Sequence, residues 1–310
     1  MVPRRSLIVG TRGSRLALRQ TGLVVQALQA HDPDVQFEVR EMRTEGDRDA
    51  KASLSQIGGQ GVFVKELEAA LLRGEVDLAV HSLKDVPTEL APGLVLAAIP
   101  ERGDPRDALV SRGGLGLADL PRSARVGTGS ARRAVQLRAI RSDVQPVDIR
   151  GNVETRIRKA DEGQMDGVVL AVAGLERLGL RERAAEVFST DAMTPAVGQG
   201  ALAIEARADD EELLALLLMI DHRDTRLACE AERAFLGRLG GGCRLPVGAL
   251  ATLDGDTVRA TGFISDAEGG QRFRAEVSGP AAQAEAVGVQ LAEELLEQGA
   301  ATFVEALETR

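Results

Sequence analysis

The chain has 310 residues and a mass of 32.8 kDa, enough for two or three domains, each with its own core. A net charge of −9, and seven Phe with no Trp or Tyr, exclude a nucleic-acid binder that grips a broad polyanion or stacks single-stranded bases. Cys229 and Cys243 are too few for a disulfide scaffold, the N-terminus lacks an export-type apolar stretch and no window approaches a membrane span, so a cytoplasmic protein is expected.

In chain order, residues 7–9 read as a strand and 16–28 have helical spacing. Residues 35–42 alternate as a strand, 62–72 form a helix, and 77–80 are a short buried strand. This alternation predicts an α/β domain with a mainly parallel sheet. A second set follows, with strands at 108–110, 125–127, 145–147 and 167–170 and helices at 131–141, 153–162 and 171–178. Residues 201–204 are expected to return as a strand to the first lobe. Helices at 211–220 and 225–239, strands at 247–253, 257–264 and 271–277, and an amphipathic helix at 281–297 then predict a smaller α+β domain. The expected division is 1–99 with 200–218, 100–199, and 219–310.

Two segments echo each other. Thr11-Arg12-Gly13-Ser14 and Gly127-Thr128-Gly129-Ser130 each lead from a strand into a helix, where unpaired N–H groups and a positive dipole end favour an anion. Arginines gather at such places: Arg12 in the first loop, Arg132 and Arg133 after the second, Arg150 and Arg156 around Gly151-Asn152-Val153. Lys51, Lys65, Lys84 and Lys159 are the only lysines among 38 basic residues. Codon bias accounts for much of that excess of arginine, so position has to decide which of them grip carboxylates. An Arg pair at a helix N-terminus opposes the macrodipole, and an anionic ligand would account for Arg132 and Arg133 together.

The segment Val80-His81-Ser82-Leu83-Lys84-Asp85-Val86-Pro87 puts an ammonium, a carboxylate and an imidazole at the C-terminal end of a strand, where open α/β sheets bind ligands. Alone it reads sooner as a surface turn with a solvated Lys–Asp pair, and the rest of the chain reverses that preference. An ionised Asp85 there can hold a developing cation. His81 reads as a structural histidine more than as a general base. Cys243 lies in Gly240-Gly241-Gly242-Cys243-Arg244, where it is either a thiol activated by its Arg neighbour or a small buried hydrophobe. Cys229 suits the buried reading. Gly58-Gly59-Gln60-Gly61 reads as a lid and is not a phosphate-binding loop, since no Gly-Lys-Ser/Thr follows. No metal spacing is present.

The ordered set of motifs resembles the porphobilinogen deaminase family over nearly the whole chain. Beyond those above it includes Gly61-Val62-Phe63-Val64-Lys65-Glu66-Leu67-Glu68, Gly103-Asp104-Pro105-Arg106-Asp107-Ala108, Arg150-Gly151-Asn152-Val153 and Pro195-Ala196-Val197-Gly198-Gln199-Gly200. The resemblance implies two lobes like a type II periplasmic binding protein plus a small α+β C-terminal domain, in a monomeric transferase of tetrapyrrole biosynthesis. It implies that four porphobilinogens are joined head to tail, with loss of ammonia, on a dipyrromethane cofactor tied by a thioether to Cys243, giving hydroxymethylbilane.

By matching position, Asp85 is the catalytic residue, and Lys84, Thr128, Ser130, Arg132 and Arg133 hold the cofactor. Arg12, Ser14, Arg150 and Arg156 hold substrate carboxylates, Gln199 contacts the pyrrole chain and Phe63 flanks it from the lid. No metal, nucleic acid or membrane is implied. Many members carry lid lysines where this chain has Gln56 and Gln60, and some have proline at the position of Arg15. The rival reading, a non-catalytic two-lobed carboxylate binder, is disfavoured by Cys243 and by the missing export signal.

Overall fold

A computed structural model of the chain describes residues 6–42, 64–241 and 245–308. The expected lid, with Gln56, Gln60 and Phe63, and the expected cofactor anchor Cys243 lie outside these residues. The chain forms two compact units, one of residues 1–102 with 201–226 and the other of residues 103–200 with 227–310.

In the first unit, strands β1 (Ser6–Arg12), β2 (Gln36–Met42), β3 (Leu78–Ser82), β4 (Leu94–Ala98) and β10 (Leu202–Arg207) form one sheet in the order β2-β1-β3-β10-β4. Helix α1 (Arg15–His31) buries Gln20, Thr21, Val24 and Leu28, a single stripe at helical spacing, on one face of the sheet. There, Val24 and Leu28 meet Leu7, Val9, Leu78, Val80, Ile204 and the apolar side of α6 (Glu211–Leu218). Helix α2 (Lys65–Leu72) covers the other face, packing Leu67, Ala70 and Leu71 on Ala79, Val76 and Leu94. Each enclosed Leu stabilises the fold by roughly 1.5–3 kcal/mol.

The second unit repeats this plan. Strands β5 (Asp107–Ser111), β6 (Arg125–Gly127), β7 (Gln145–Val147), β8 (Gly167–Ala171) and β9 (Glu186–Val187) take the order β7-β6-β8-β5-β9. Helices α3 (Ala131–Ile140), α4 (Val153–Asp161) and α5 (Val172–Arg177) flank them. Helix α7 (Arg223–Arg238) starts in the first unit and runs on into the second, where β11 (Val247–Asp254), β12 (Thr257–Ser265) and β13 (Arg272–Pro280) form an antiparallel meander. Helix α8 (Ala284–Leu295) lies on that meander, and Phe235 of α7, Leu291 and Leu295 share its core with Val197.

The expected mainly parallel sheets are in fact mixed. In each five-stranded sheet two pairings are parallel (β1 with β2 and β3; β6 with β7 and β8) and two are antiparallel (β10 with β3 and β4; β5 with β8 and β9). The cause is connectivity: β10 re-enters the first sheet only after the second lobe is complete, and β5 comes to the second sheet directly from the first. Strands β4 and β9 and the last helix, α9 (Ala301–Glu308), had no counterpart in the sequence reading. The single helix expected over 281–297 is broken. A 3₁₀ turn over Ala281–Gln283 precedes α8, and Gly299, at φ +124, ends the wide turn that follows it.

Candidate active site

Strand β1 ends at Arg12, and Ser14 caps α1 by accepting a hydrogen bond from the Ala17 N–H at 3.2 Å. Strand β3 runs parallel to β1 and passes at Ser82 into a 3₁₀ turn, Leu83–Asp85. The turn is fixed at both ends: the Leu83 N–H donates to the Ala201 carbonyl and the Val86 N–H to that of Leu83. Pro87 then prevents regular continuation. The C-terminal edge of the parallel strands therefore gathers Arg12, Ser14, Gln20, His81, Ser82 and Asp85 around a recess of about 80 Å³. Gln20 donates to the Ser82 hydroxyl at 2.8 Å, bracing α1 to the end of β3. Asp85 and Lys84 are half-buried. The fixed turn, and not a flexible loop, holds the carboxylate at the recess.

His81 is shut in, at 6% exposure, and its Nε2 lies 3.0 Å from the carboxylate of Glu205, which has no exposure at all. The structural reading of this histidine gains a partner that the sequence did not name. Glu205 sits on β10, two residues along from Ala203, the residue opposite His81. The two side chains therefore share one face of the sheet.

The second strand–loop–helix segment has the same backbone plan. Ser130 caps α3, accepting from the Arg133 N–H, and the Thr128 hydroxyl accepts from the Ser130 N–H at 3.2 Å. Arg132 and Arg133, however, are buried, at 4% and 6% exposure. Both guanidinium groups close on Asp107 at the start of β5: Arg132 Nη1 donates to Oδ2 at 2.8 Å, while Arg133 Nε and Nη2 donate to Oδ1 at 2.9 and 2.6 Å. Gln199, 1% exposed, adds its amide N–H to Asp107 Oδ1 at 2.9 Å and to the Pro105 carbonyl at 2.7 Å. Burial alone would push the Asp107 carboxyl up. The two arginines outweigh it and hold the group well below the usual carboxylate range. Burial draws the Arg132 guanidinium down, with Asp107 opposing.

An anion does account for the Arg pair, as the sequence argued, but the one present is internal. Two cations on one carboxylate still leave a surplus positive charge, and Arg132 Nε is buried with no hydrogen-bond partner. Elsewhere in this unit Asn152 caps α4, with Arg150 on Asp148 at 3.1 Å and Arg156 on the Gly151 carbonyl at 2.8 Å. Glu232 of α7 accepts from the Gly198 N–H at 2.7 Å and the Ala251 N–H at 2.8 Å, tying the Gln199 segment to the meander.

Sequence reasoning assigned no role to Asp107, Glu205 or Glu232. The partners of each are distant in sequence and are set by strand register or tertiary packing. Cys229 is fully enclosed. Among the described residues no cluster of His, Cys, Asp and Glu has the makings of a metal site, and no helix is long and apolar enough to cross a membrane.

Residues 7–215 match the family model described as porphobilinogen deaminase, dipyromethane cofactor binding domain. Residues 226–297 match that of the porphobilinogen deaminase C-terminal domain. The chain belongs to the porphobilinogen deaminase family. It is 52% identical over 296 residues to the porphobilinogen deaminase of Roseiflexus sp. (strain RS-1), covering 96% of this chain and 97% of that one. To that of Syntrophomonas wolfei it is 48% identical over 300 residues, covering 97% and 98%. Among solved structures it is similar to an arginine-specific periplasmic binding protein of Salmonella typhimurium, at 15% identity over 70% of this chain and 92% of that one, TM-score 0.40. So weak a likeness adds nothing to the topology already described.

Proposed function

We propose that Asp85 is the catalytic carboxylate of this porphobilinogen deaminase-family transferase and that arginines at three helix N-termini hold the carboxylates of its substrate and cofactor. The family's reaction joins porphobilinogen units head to tail in tetrapyrrole biosynthesis, with loss of ammonia, giving hydroxymethylbilane. The observation that carries the assignment is the recess that Asp85 lines together with Arg12 and Ser14.

Each porphobilinogen brings two carboxylates and one aminomethyl group. When its C–N bond breaks, the nitrogen leaves as ammonia with the bonding electrons, and a cation delocalised into the pyrrole remains. An ionised Asp85 stabilises that charge through the ring N–H as it develops. A carbon–carbon bond then forms to the methylene carbon, and Asp85 is the acceptor for the proton released from the attacked ring position. Arg12 and the O–H of Ser14, whose lone pair is already used in capping α1, fix the incoming carboxylates.

The described residues fit a dipyrromethane, which when bound supplies the carbon at which the first unit is joined. The surplus charge at Arg132 and Arg133, with a buried Nε on Arg132, suits an acidic side chain of that group. Lys84 adjoins Asp85, Thr128 and Ser130 adjoin the Arg pair, and Arg150 and Arg156 stand at the start of α4. Gln199 acts here through Asp107, and any contact it makes with the pyrrole chain comes from what that bracing leaves. Phe63 is assigned to flank the pyrrole chain by its matching position in the family alone. Cys243 is the thioether anchor, and the protein acts as a cytoplasmic monomer.

The test is the intact mass of the purified protein beside its Cys243→Ser variant. An excess of two linked pyrrole units in the first, absent from the second, is the expected result. An unmodified mass that persists after incubation with porphobilinogen would overturn the cofactor assignment.

A further inference from the structure

The recess holds one group that the mechanism above does not use. Of the two ring nitrogens of His81, Nε2 is buried 3.0 Å from the Glu205 carboxylate, and the residue is among those that line the recess. Glu205 is completely buried, and among the described residues neither of its carboxylate oxygens has a hydrogen-bond donor, His81 Nε2 being the cationic group in reach.

An isolated buried carboxylate is among the least tolerable groups in a protein interior, and an opposite charge in contact is the usual remedy. The other charged groups nearby do not supply it. Glu68, from α2, is itself an acid. Burial pushes its carboxyl up, the Ala91 N–H opposes that, and the negative Glu205 pushes it further up, while His81 and Lys65 pull it down. Lys65, at the first turn of α2, is exposed. Asp85 on the recess wall would add negative charge, and Arg12 stands across the recess on β1.

We infer that Glu205 holds His81 as an imidazolium, so that the ring presents a cationic N–H at the floor of the recess to a carboxylate of the bound substrate. His81 is then a binding residue and Glu205 the residue that positions and charges it. The pair works as a metal-bound histidine works with its carboxylate partner, where the partner on one nitrogen decides what the other offers. The identity of the carboxylate rests on the proposed function. The charge on the ring does not.

The chain has only three histidines, His31, His81 and His222, so ring-nitrogen NMR of protein labelled with nitrogen-15 in histidine can isolate His81. In the wild-type holoenzyme near neutral pH, both His81 nitrogens should resonate as an imidazolium. In Glu205→Gln they should resonate as a neutral ring. A neutral His81 in the wild type, of either tautomer, overturns the inference and needs no variant to do so. An imidazolium unchanged in Glu205→Gln overturns the part given to Glu205.

Steady-state kinetics of the same variant address the acceptor. Loss of one charge-assisted hydrogen bond should raise the KM for porphobilinogen about tenfold or more while kcat changes little. A fall in kcat at unchanged KM would overturn the assignment to a substrate carboxylate. Should the NMR result hold and the Cys243→Ser mass test fail, the charged pair stands and the proposed function falls.

Discussion

The two strand–loop–helix segments, β1 into α1 and β6 into α3, start from nearly the same residues and end in different electrostatic states. Each has a glycine at or near the strand end, a Thr directly after it and a Ser that caps the helix. Each glycine is needed, because a Cβ at Gly10 would meet Leu67 at 2.9 Å and one at Gly127 would meet Met165 at 2.5 Å. Yet Arg12 lines an open recess, whereas Arg132 and Arg133 are sealed on Asp107. Local sequence set the backbone and the caps. A residue outside the motif, at the head of β5, set what the arginines do.

The comparison breaks most visibly at Asp107. Asp107→Asn leaves two buried guanidinium groups without their anion and should destabilise the protein by about 3–5 kcal/mol. Chemical denaturation would measure it, and a change below 1 kcal/mol would mean that the second segment is not built on an ion cluster. Arg12→Leu, in the first segment, should lower stability far less and raise the KM for porphobilinogen more.

The pH dependence sharpens the same point. The folded Asp107 carboxyl lies below its ordinary value of 3.8. Its contribution to stability is therefore complete above that value and is lost as pH falls through the lower, folded one. The stability gap between wild type and Asp107→Asn should stay constant from neutral pH down to about pH 5 and narrow only in stronger acid. A gap that closed between pH 7 and 5 would assign the effect to another group.

Smaller effects come next. Gly127→Ala, against Met165 and Val168, and Gly10→Ala, against Leu67 and Val76, should each cost about 1–3 kcal/mol through overpacking. Ser14→Ala and Ser130→Ala each remove one helix cap and should cost about 0.5–2 kcal/mol. If the two cap deletions differ widely in thermal denaturation, the segments are less alike than their sequences.

Much of this was legible beforehand. The strands over 125–127 and 145–147 have their expected bounds, those at 7–9, 108–110 and 167–170 only lengthen, and that at 77–80 shifts to 78–82, because short apolar runs between glycine and polar turns fit a sheet core. Residues 201–204 do return to the first sheet. The sense of each sheet was not legible, since strand direction follows from which lobe closes first. Strand β4 escaped because Leu94 to Ala98 is a short apolar run that nothing separates from a buried loop.

At the site, Asp85 was readable from its place at a strand end followed by proline. Asp107 and Glu205 were not. Their partners lie 25 or more residues away in the first case and more than 120 in the second, and only the registers β5 with β8 and β10 with β3 bring them together. Arg132 and Arg133 do meet an anion, but it is the internal Asp107, which the arginine positions alone did not indicate.

The central claim is that the carboxylate at the recess does the chemistry. Asp85→Ala, shown by circular dichroism to be folded, should be assayed for porphobilinogen consumption beside the wild type. The account predicts turnover reduced by orders of magnitude with native structure kept. Near-normal consumption by the folded variant would contradict it and remove Asp85 from the mechanism.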